Sequence, residues 1–124
     1  MKPKLPIIVR ESSDLYFFET VESAELGLEP IDVLNGEYEA YDAEGRLLNL
    51  EVREEEQSML FGLSKGPVEV TRIFCREEEP SHQKKLYNLL WEFLEGWREP
   101  IPLSSEDTLE SLIKKTFDIY GYTK

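Results

Sequence analysis

The segment LNGEYEAYDAEGRLLNLEV, residues 34–52, decides which fold the rest of the chain can adopt. Apolar and polar side chains alternate in both of its halves, as they do in half-buried β-strands. Between the halves lies Asp42-Ala43-Glu44-Gly45, where an aspartate can accept turn amides and a glycine can adopt a positive φ. The pattern predicts a β-hairpin with a type I turn and a glycine bulge. A calcium loop is not indicated, because Arg46 and Arg53 stand where it needs oxygen ligands.

A strand and a short helix are predicted before this hairpin. Residues 14–19 are rich in aromatic side chains and predict a strand. Thr20 can cap the helix that follows, in which Val21, Ala24 and Leu28 share one side. Pro30 is expected to end that helix, because the residue before a proline avoids the α region.

The second half of the chain predicts a loop, a strand and two helices. Residues 53–67, REEEQSMLFGLSKGP, are expected to form an irregular connection that packs over an edge of the core or presents an apolar tip to a partner. Residues 68–75 are rich in β-branched side chains and predict a strand. An apolar stripe from Leu86 to Trp97 predicts an amphipathic helix, and a last helix is expected from residues 104–107 to Gly121.

These elements predict a single α+β domain over residues 1–124. We expect an antiparallel sheet of about four strands, with a short helix after the first strand and two C-terminal amphipathic helices packed on the sheet. No apolar run approaches the roughly 20 residues that a bilayer crossing needs. The apolar run near the start is too short for a signal peptide, so a cytoplasmic location without membrane association is expected.

The negative charge is concentrated in one stretch. The net charge of the chain is −12. Residues 11–60 contain fifteen acidic residues and two basic ones, Arg46 and Arg53, whereas the remainder is close to neutral. Such a surface repels nucleic acid and anionic lipid and attracts basic proteins. The alternative is that the acidity serves solubility alone.

Catalytic and metal-binding signatures are absent from the sequence. His82, the only histidine, lies at a predicted helix start without an evident nucleophile, and Cys75 lies in an apolar strand where thiols act as small hydrophobic groups. Together they cannot supply the four ligands of a zinc site. We therefore predict no cofactor, no metal and no enzymatic activity, although a carboxylate-dependent enzyme stays an alternative.

One part of the chain resembles a known class of proteins. Residues 14–52 resemble small acidic bacterial proteins of uncharacterised function, some of which are similar to immunity proteins of polymorphic toxin systems. The residues that carry the resemblance are Thr20-Val21-Glu22-Ser23-Ala24-Glu25, Leu28-Glu29-Pro30-Ile31-Asp32-Val33, Asn35-Gly36-Glu37-Tyr38, Tyr41-Asp42 and Glu44-Gly45-Arg46-Leu47. The resemblance implies a toxin-neutralising or other protein-binding role and supplies no functional residues.

The sequence thus predicts a non-catalytic binding protein, an immunity-type inhibitor that neutralises a basic toxin or another cationic partner. The predicted contact face consists of Glu37, Glu39, Asp42 and Glu44 on the hairpin and of Glu54, Glu55, Glu56 and Phe61 in the following segment. A further alternative is a regulatory or structural subunit that docks through the apolar loop around Phe61.

Overall fold

A computed structural model describes residues 2–59, 64–75 and 77–123, and for residues 57–59, 64 and 65 only the backbone. The strands are β1 (Ile7–Glu11), β2 (Asp14–Phe18), β3 (Tyr38–Tyr41), β4 (Leu47–Met59) and β5 (Ser64–Cys75). The helices are α1 (Val21–Gly27), α2 (Pro30–Leu34), α3 (Gln83–Glu95) and α4 (Leu109–Tyr120).

The strands form one antiparallel sheet in the order β2-β1-β3-β4-β5. The predicted α+β class, with two C-terminal helices, is confirmed. The described residues contain five strands rather than about four, since β1 was not predicted. The reason lies in Ile7, Ile8 and Val9, which are all fully buried, because such a strand lacks the alternation that marks a half-buried one.

The hairpin at residues 42–46 is confirmed. The Gly45 amide donates to the Asp42 carbonyl at 3.1 Å, and the Asp42 amide donates to the Arg46 carbonyl at 3.0 Å. Gly45 has φ +90, as a glycine bulge after a type I turn requires. A Cβ at Gly45 would lie 2.6 Å from the Cα of Gln83, so the turn also packs directly on the start of α3.

Helices cover both faces of the sheet. On one face Ile7, Val9 and Ala40 pack with Ala24 and Leu28 of the α1 segment. On the other face a second apolar cluster joins the sheet to α3 and α4 through Ile8, Leu15, Phe17, Tyr41, Leu86, Leu90, Leu94 and Leu112. Neighbouring residues of β1 and β3 point to opposite faces of the sheet, and both can be buried because helices cover both faces.

The helix boundaries correct two expectations. The Thr20 cap is confirmed, since its hydroxyl accepts the Ser23 amide at 3.0 Å. Pro30, however, opens α2 rather than only ending α1, because a proline suits the first turn of a helix. The last helix begins after Thr108, not at residues 104–107, and the Thr108 hydroxyl accepts the Ser111 amide at 3.1 Å.

The irregular connection predicted for residues 53–67 is wrong for its described part. β4 and β5 pair continuously from Leu48 opposite Cys75 to Met59 opposite Ser64. Residues 53–56 are all charged and show no apolar alternation, so the sequence did not indicate this pairing. Phe61 and residues 60–63 lie outside the described residues.

None of the helices in the described part of the chain is long and apolar enough to cross a membrane.

Candidate functional site

Asp42 does not belong to an exposed face, contrary to prediction. It is fully buried, and its carboxylate accepts the amides of Lys4, Glu44 and Arg46 at 2.9 to 3.1 Å. The guanidinium of Arg46 lies 3.2 Å away and balances the charge. A buried carboxylate is stable only when it is hydrogen-bonded and paired in this way. Asp42 is therefore a structural residue of the turn.

Glu39 and Glu44 form ion pairs with basic side chains of the chain itself. Glu39 lies 2.8 Å from the Lys85 ammonium and 3.2 Å from the Arg10 guanidinium, and the hydrogen bond from Lys85 lowers the pKa of Glu39. Glu44 contacts Arg46 at 3.1 Å. Pairing reduces the field that either carboxylate presents to a partner.

Glu55 is also paired, on the sheet face that carries Arg72. The guanidinium of Arg72 donates to both oxygens of Glu55, at 2.6 and 2.9 Å, and this hydrogen bonding lowers the pKa of Glu55. Such two-point pairing favours a fixed geometry over availability to another molecule. Glu55 is thus a weaker contact candidate than the sequence suggested.

Glu54 and Glu56 are the predicted acids that the fold leaves free. Both are exposed, and no hydrogen bond or ion pair joins their carboxylates to another described residue. Because side chains alternate along a strand, they lie on the face of Leu48 and Leu50, which α1 and α2 cover further along. We call residues 52–56 of β4 and 67–71 of β5 the acidic arm.

A third free carboxylate, Glu69, lies directly opposite Glu54 in the β4–β5 register. It too is exposed and without a partner among the described residues. Because these carboxylates have no cation beside them among the described residues, the arm carries an uncompensated negative patch. The direct opposition of two like charges within it is destabilising. Sequence reasoning missed Glu69, because its neighbour across the sheet depends on a pairing that charged strands do not signal.

A groove of about 400 Å³ lies between the acidic arm and α1. Glu22, Glu29 and Glu69 line it together with Leu26, which is 89% exposed, and with Arg72, whose charge is paired with Glu25 and Glu55. The hydroxyl of Thr71 donates to the Leu28 carbonyl at 2.8 Å and fixes the end of α1 against β5. The arrangement combines free acids with exposed apolar surface, a combination suited to binding a cationic protein.

Glu37 lies elsewhere, in a cluster with Glu11 and Asp32 whose carboxylate oxygens come within 4.8 Å of one another. Its hydrogen bond with Asp32 raises the pKa of Glu37, and the Tyr16 hydroxyl donates to Glu11 at 2.8 Å. Within the described ranges this is the group of three acidic side chains whose ligand atoms lie close enough together to hold a cation. They come from β1, α2 and the following turn, so no local motif marked them.

The residues around His82 form a hydrogen-bonded group at the start of α3. The Ser81 hydroxyl donates to Glu77 at 2.7 Å, and this carboxylate competes for the single Ser81 proton with His82 Nδ1, which lies 2.9 Å away. Burial raises the pKa of the Cys75 thiol. A raised pKa disfavours the reactive thiolate.

Comparison with known proteins gives no relative from which a role could be transferred. No protein-family model matches the chain, and no curated protein or solved structure is significantly similar to it.

Proposed function

We propose that this chain is a non-catalytic binding protein that holds a basic protein through the acidic arm and the groove beside it. The observation that carries the proposal is the set of free carboxylates Glu54, Glu56 and Glu69 on one face of the arm. Glu39, Asp42, Glu44 and Glu55 of the predicted face are paired with cations of the chain itself, whereas these three carboxylates are not. Exposed carboxylates without internal partners are those whose field reaches an approaching molecule.

The partner that best fits is a basic toxin, with this chain as its immunity-type inhibitor. The resemblance of residues 14–52 to small acidic proteins of that kind supports this assignment, and so does charge complementarity, which raises encounter rates roughly 10- to 1000-fold. The proposal includes the cytoplasmic location predicted from the sequence, where such an inhibitor protects the producing cell.

The test is a charge reversal of the free acids, Glu54→Lys, Glu56→Lys and Glu69→Lys together. A matched control reverses three exposed acids elsewhere, Glu79, Glu99 and Asp118, and changes the net charge equally. Association is measured with the basic protein encoded beside this chain, at about 0.1 M and about 1 M salt, where the screening length falls from about 10 to about 3 Å.

We expect the arm reversal to lower the on-rate at least about tenfold at low salt and the control to change it much less. The effect should largely vanish at high salt. Equal effects of both triple variants would show that only net charge matters and would remove the arm from the proposal. Absence of binding to the neighbouring protein would contradict the immunity-type assignment.

The regulatory-subunit alternative predicts a different kinetic signature. If the segment around Phe61 anchors the partner, Phe61→Ala should raise the off-rate and leave the on-rate unchanged, because a buried aromatic anchor acts after encounter. A charge-driven interface predicts instead that reversing the arm acids lowers the on-rate and leaves the off-rate nearly unchanged.

A further inference from the structure

The outer edge of β2, at one end of the sheet, is covered by the chain itself. The Thr123 amide donates to the Phe17 carbonyl at 2.7 Å, and the Phe17 amide donates to the Thr123 hydroxyl at 3.2 Å. An exposed strand edge invites pairing with another chain, and such contacts prevent it.

The outer edge of β5, at the other end, is guarded by different means. The Ile73 amide donates to the Glu25 carboxylate at 2.9 Å, and Pro67 has no amide hydrogen to offer. Proline at an edge position blocks the addition of another strand. Both ends of the sheet are thus protected at specific residues.

β4 has a further edge that these devices do not protect. β3 pairs with β4 only at Leu47 and Leu48, so from Asn49 onward β4 has no strand on its β3 side. Because the Ile73 amide points away from β4, the pair Leu50–Ile73 exchanges no backbone hydrogen bonds, and the same holds at every second pair. The backbone groups of Leu50, Val52, Glu54 and Glu56 therefore face away from β5.

Within the part of the chain that the structure describes, the outward amides of Val52, Glu54 and Glu56 have no hydrogen-bond partner. The side chains of Glu54 and Glu56 stand along this edge, with Glu69 behind them on β5. A second copy of this chain would bring its own glutamates against them, and like charges opposite each other destabilise a sheet. The charges instead favour a basic strand.

We propose that the open edge of β4 over Val52–Glu56 accepts an extended basic segment of the partner as an added strand. Backbone hydrogen bonds to β4 would supply affinity, and lysine or arginine at alternate positions beside Glu54 and Glu56 would supply specificity. This inference rests on the proposed function and names the form in which the basic partner is recognised.

The probe is a short acetylated and amidated peptide in which lysine alternates with valine and threonine. Two further versions carry N-methyl groups on alternate amides, either on the lysines or on the residues between them, so that charge is constant and only one set of amide hydrogens is removed. Added as an antiparallel strand with lysines opposite Glu54 and Glu56, the peptide directs its lysine amides toward β4.

We expect methylation of the lysine amides to weaken binding at least about tenfold, and methylation of the amides between the lysines to change it little. Equal affinities of all three peptides, or no binding of the unmodified one, would overturn strand addition. A free protein that is a dimer through this edge would overturn it as well.

The protein side is tested with Glu54→Pro against Glu54→Gln. Both variants remove the charge, but only the proline removes the outward amide, and the pairing with β5 does not use that amide. Weaker peptide binding by Glu54→Pro than by Glu54→Gln is expected, in variants whose melting curves show that both are folded. Equal binding would contradict the inference.

The two proposals fail in distinguishable ways. If the arm charge reversal lowers binding while backbone methylation and Glu54→Pro do not, the acidic surface binds by side chains alone and only the strand addition is lost. If the reversal has no specific effect, the proposed function is lost too.

Discussion

The turn at residues 42–46 and the acidic arm are both rich in carboxylates, and the fold treats them in opposite ways. In the turn, Asp42 is buried and accepts three backbone amides and a guanidinium. In the arm, Glu54, Glu56 and Glu69 are exposed and have no partner among the described residues. The difference shows that carboxylates of similar density in the sequence serve structure where amides converge and remain available where none do.

The largest expected effect is that of Asp42→Ala. Removing the carboxylate leaves buried amides and the Arg46 guanidinium without their acceptor, which should lower the free energy of unfolding by about 3 kcal/mol. Urea unfolding measures it, with Glu56→Ala in the arm as the control, for which a change within about 0.5 kcal/mol is expected. Similar losses for both variants would abolish the distinction between turn and arm.

The packing of the turn on α3 is tested by Gly45→Ala against Gly36→Ala. Both glycines have positive φ, but only at Gly45 would the new Cβ collide with a backbone atom, the Cα of Gln83 at 2.6 Å, whereas Gly36 has open space. We expect a loss of about 1 kcal/mol at Gly36 and at least about 2 kcal/mol at Gly45. Thermal or urea unfolding gives both values, and equal losses would mean that the turn does not bear on α3.

The smallest expected effect is in the arm and has the opposite sign. Glu69→Gln removes the like-charge pair with Glu54 and should stabilise the protein by a few tenths of a kcal/mol at low salt, with less effect at high salt. A destabilising result would mean that Glu69 has a favourable partner, and the acidic arm would then be no freer than the turn.

The features of the fold that could be predicted from the sequence are those set by interactions between residues close together in the chain. The turn, the Thr20 cap and the apolar stripes of the long helices depend on residues a few positions apart, so local patterns revealed them. β1 was missed because it is buried on both sides. Residues 53–59 of β4 and 64–67 of β5 were missed because charged, polar and small residues dominate there. Alternation is lost in both cases.

The candidate site was predicted only in outline. Glu54 and Glu56 are exposed, as a contact face requires, whereas the prediction that Asp42 belongs to that face is wrong because Asp42 is buried. Glu39, Glu44 and Glu55 are ion-paired. Glu69 and the groove beside α1 did not emerge from the sequence at all. The partners of Glu39 and Glu55 come from other strands and from α3, whereas those of Asp42 and Glu44 lie mostly within the turn itself.

The sequence by itself determined the charge of residues 11–60, the hairpin turn and the amphipathic helices, because composition and short-range geometry are local properties. Only the tertiary structure decided which carboxylates stay free. Glu39 is neutralised by Arg10 of β1 and Lys85 of α3, and Glu55 is neutralised by Arg72 of β5. Strand register and the packing of α3 on the sheet bring these cations into contact with the carboxylates. The partner of a charge is set by the fold, and so is the surface that remains for another molecule.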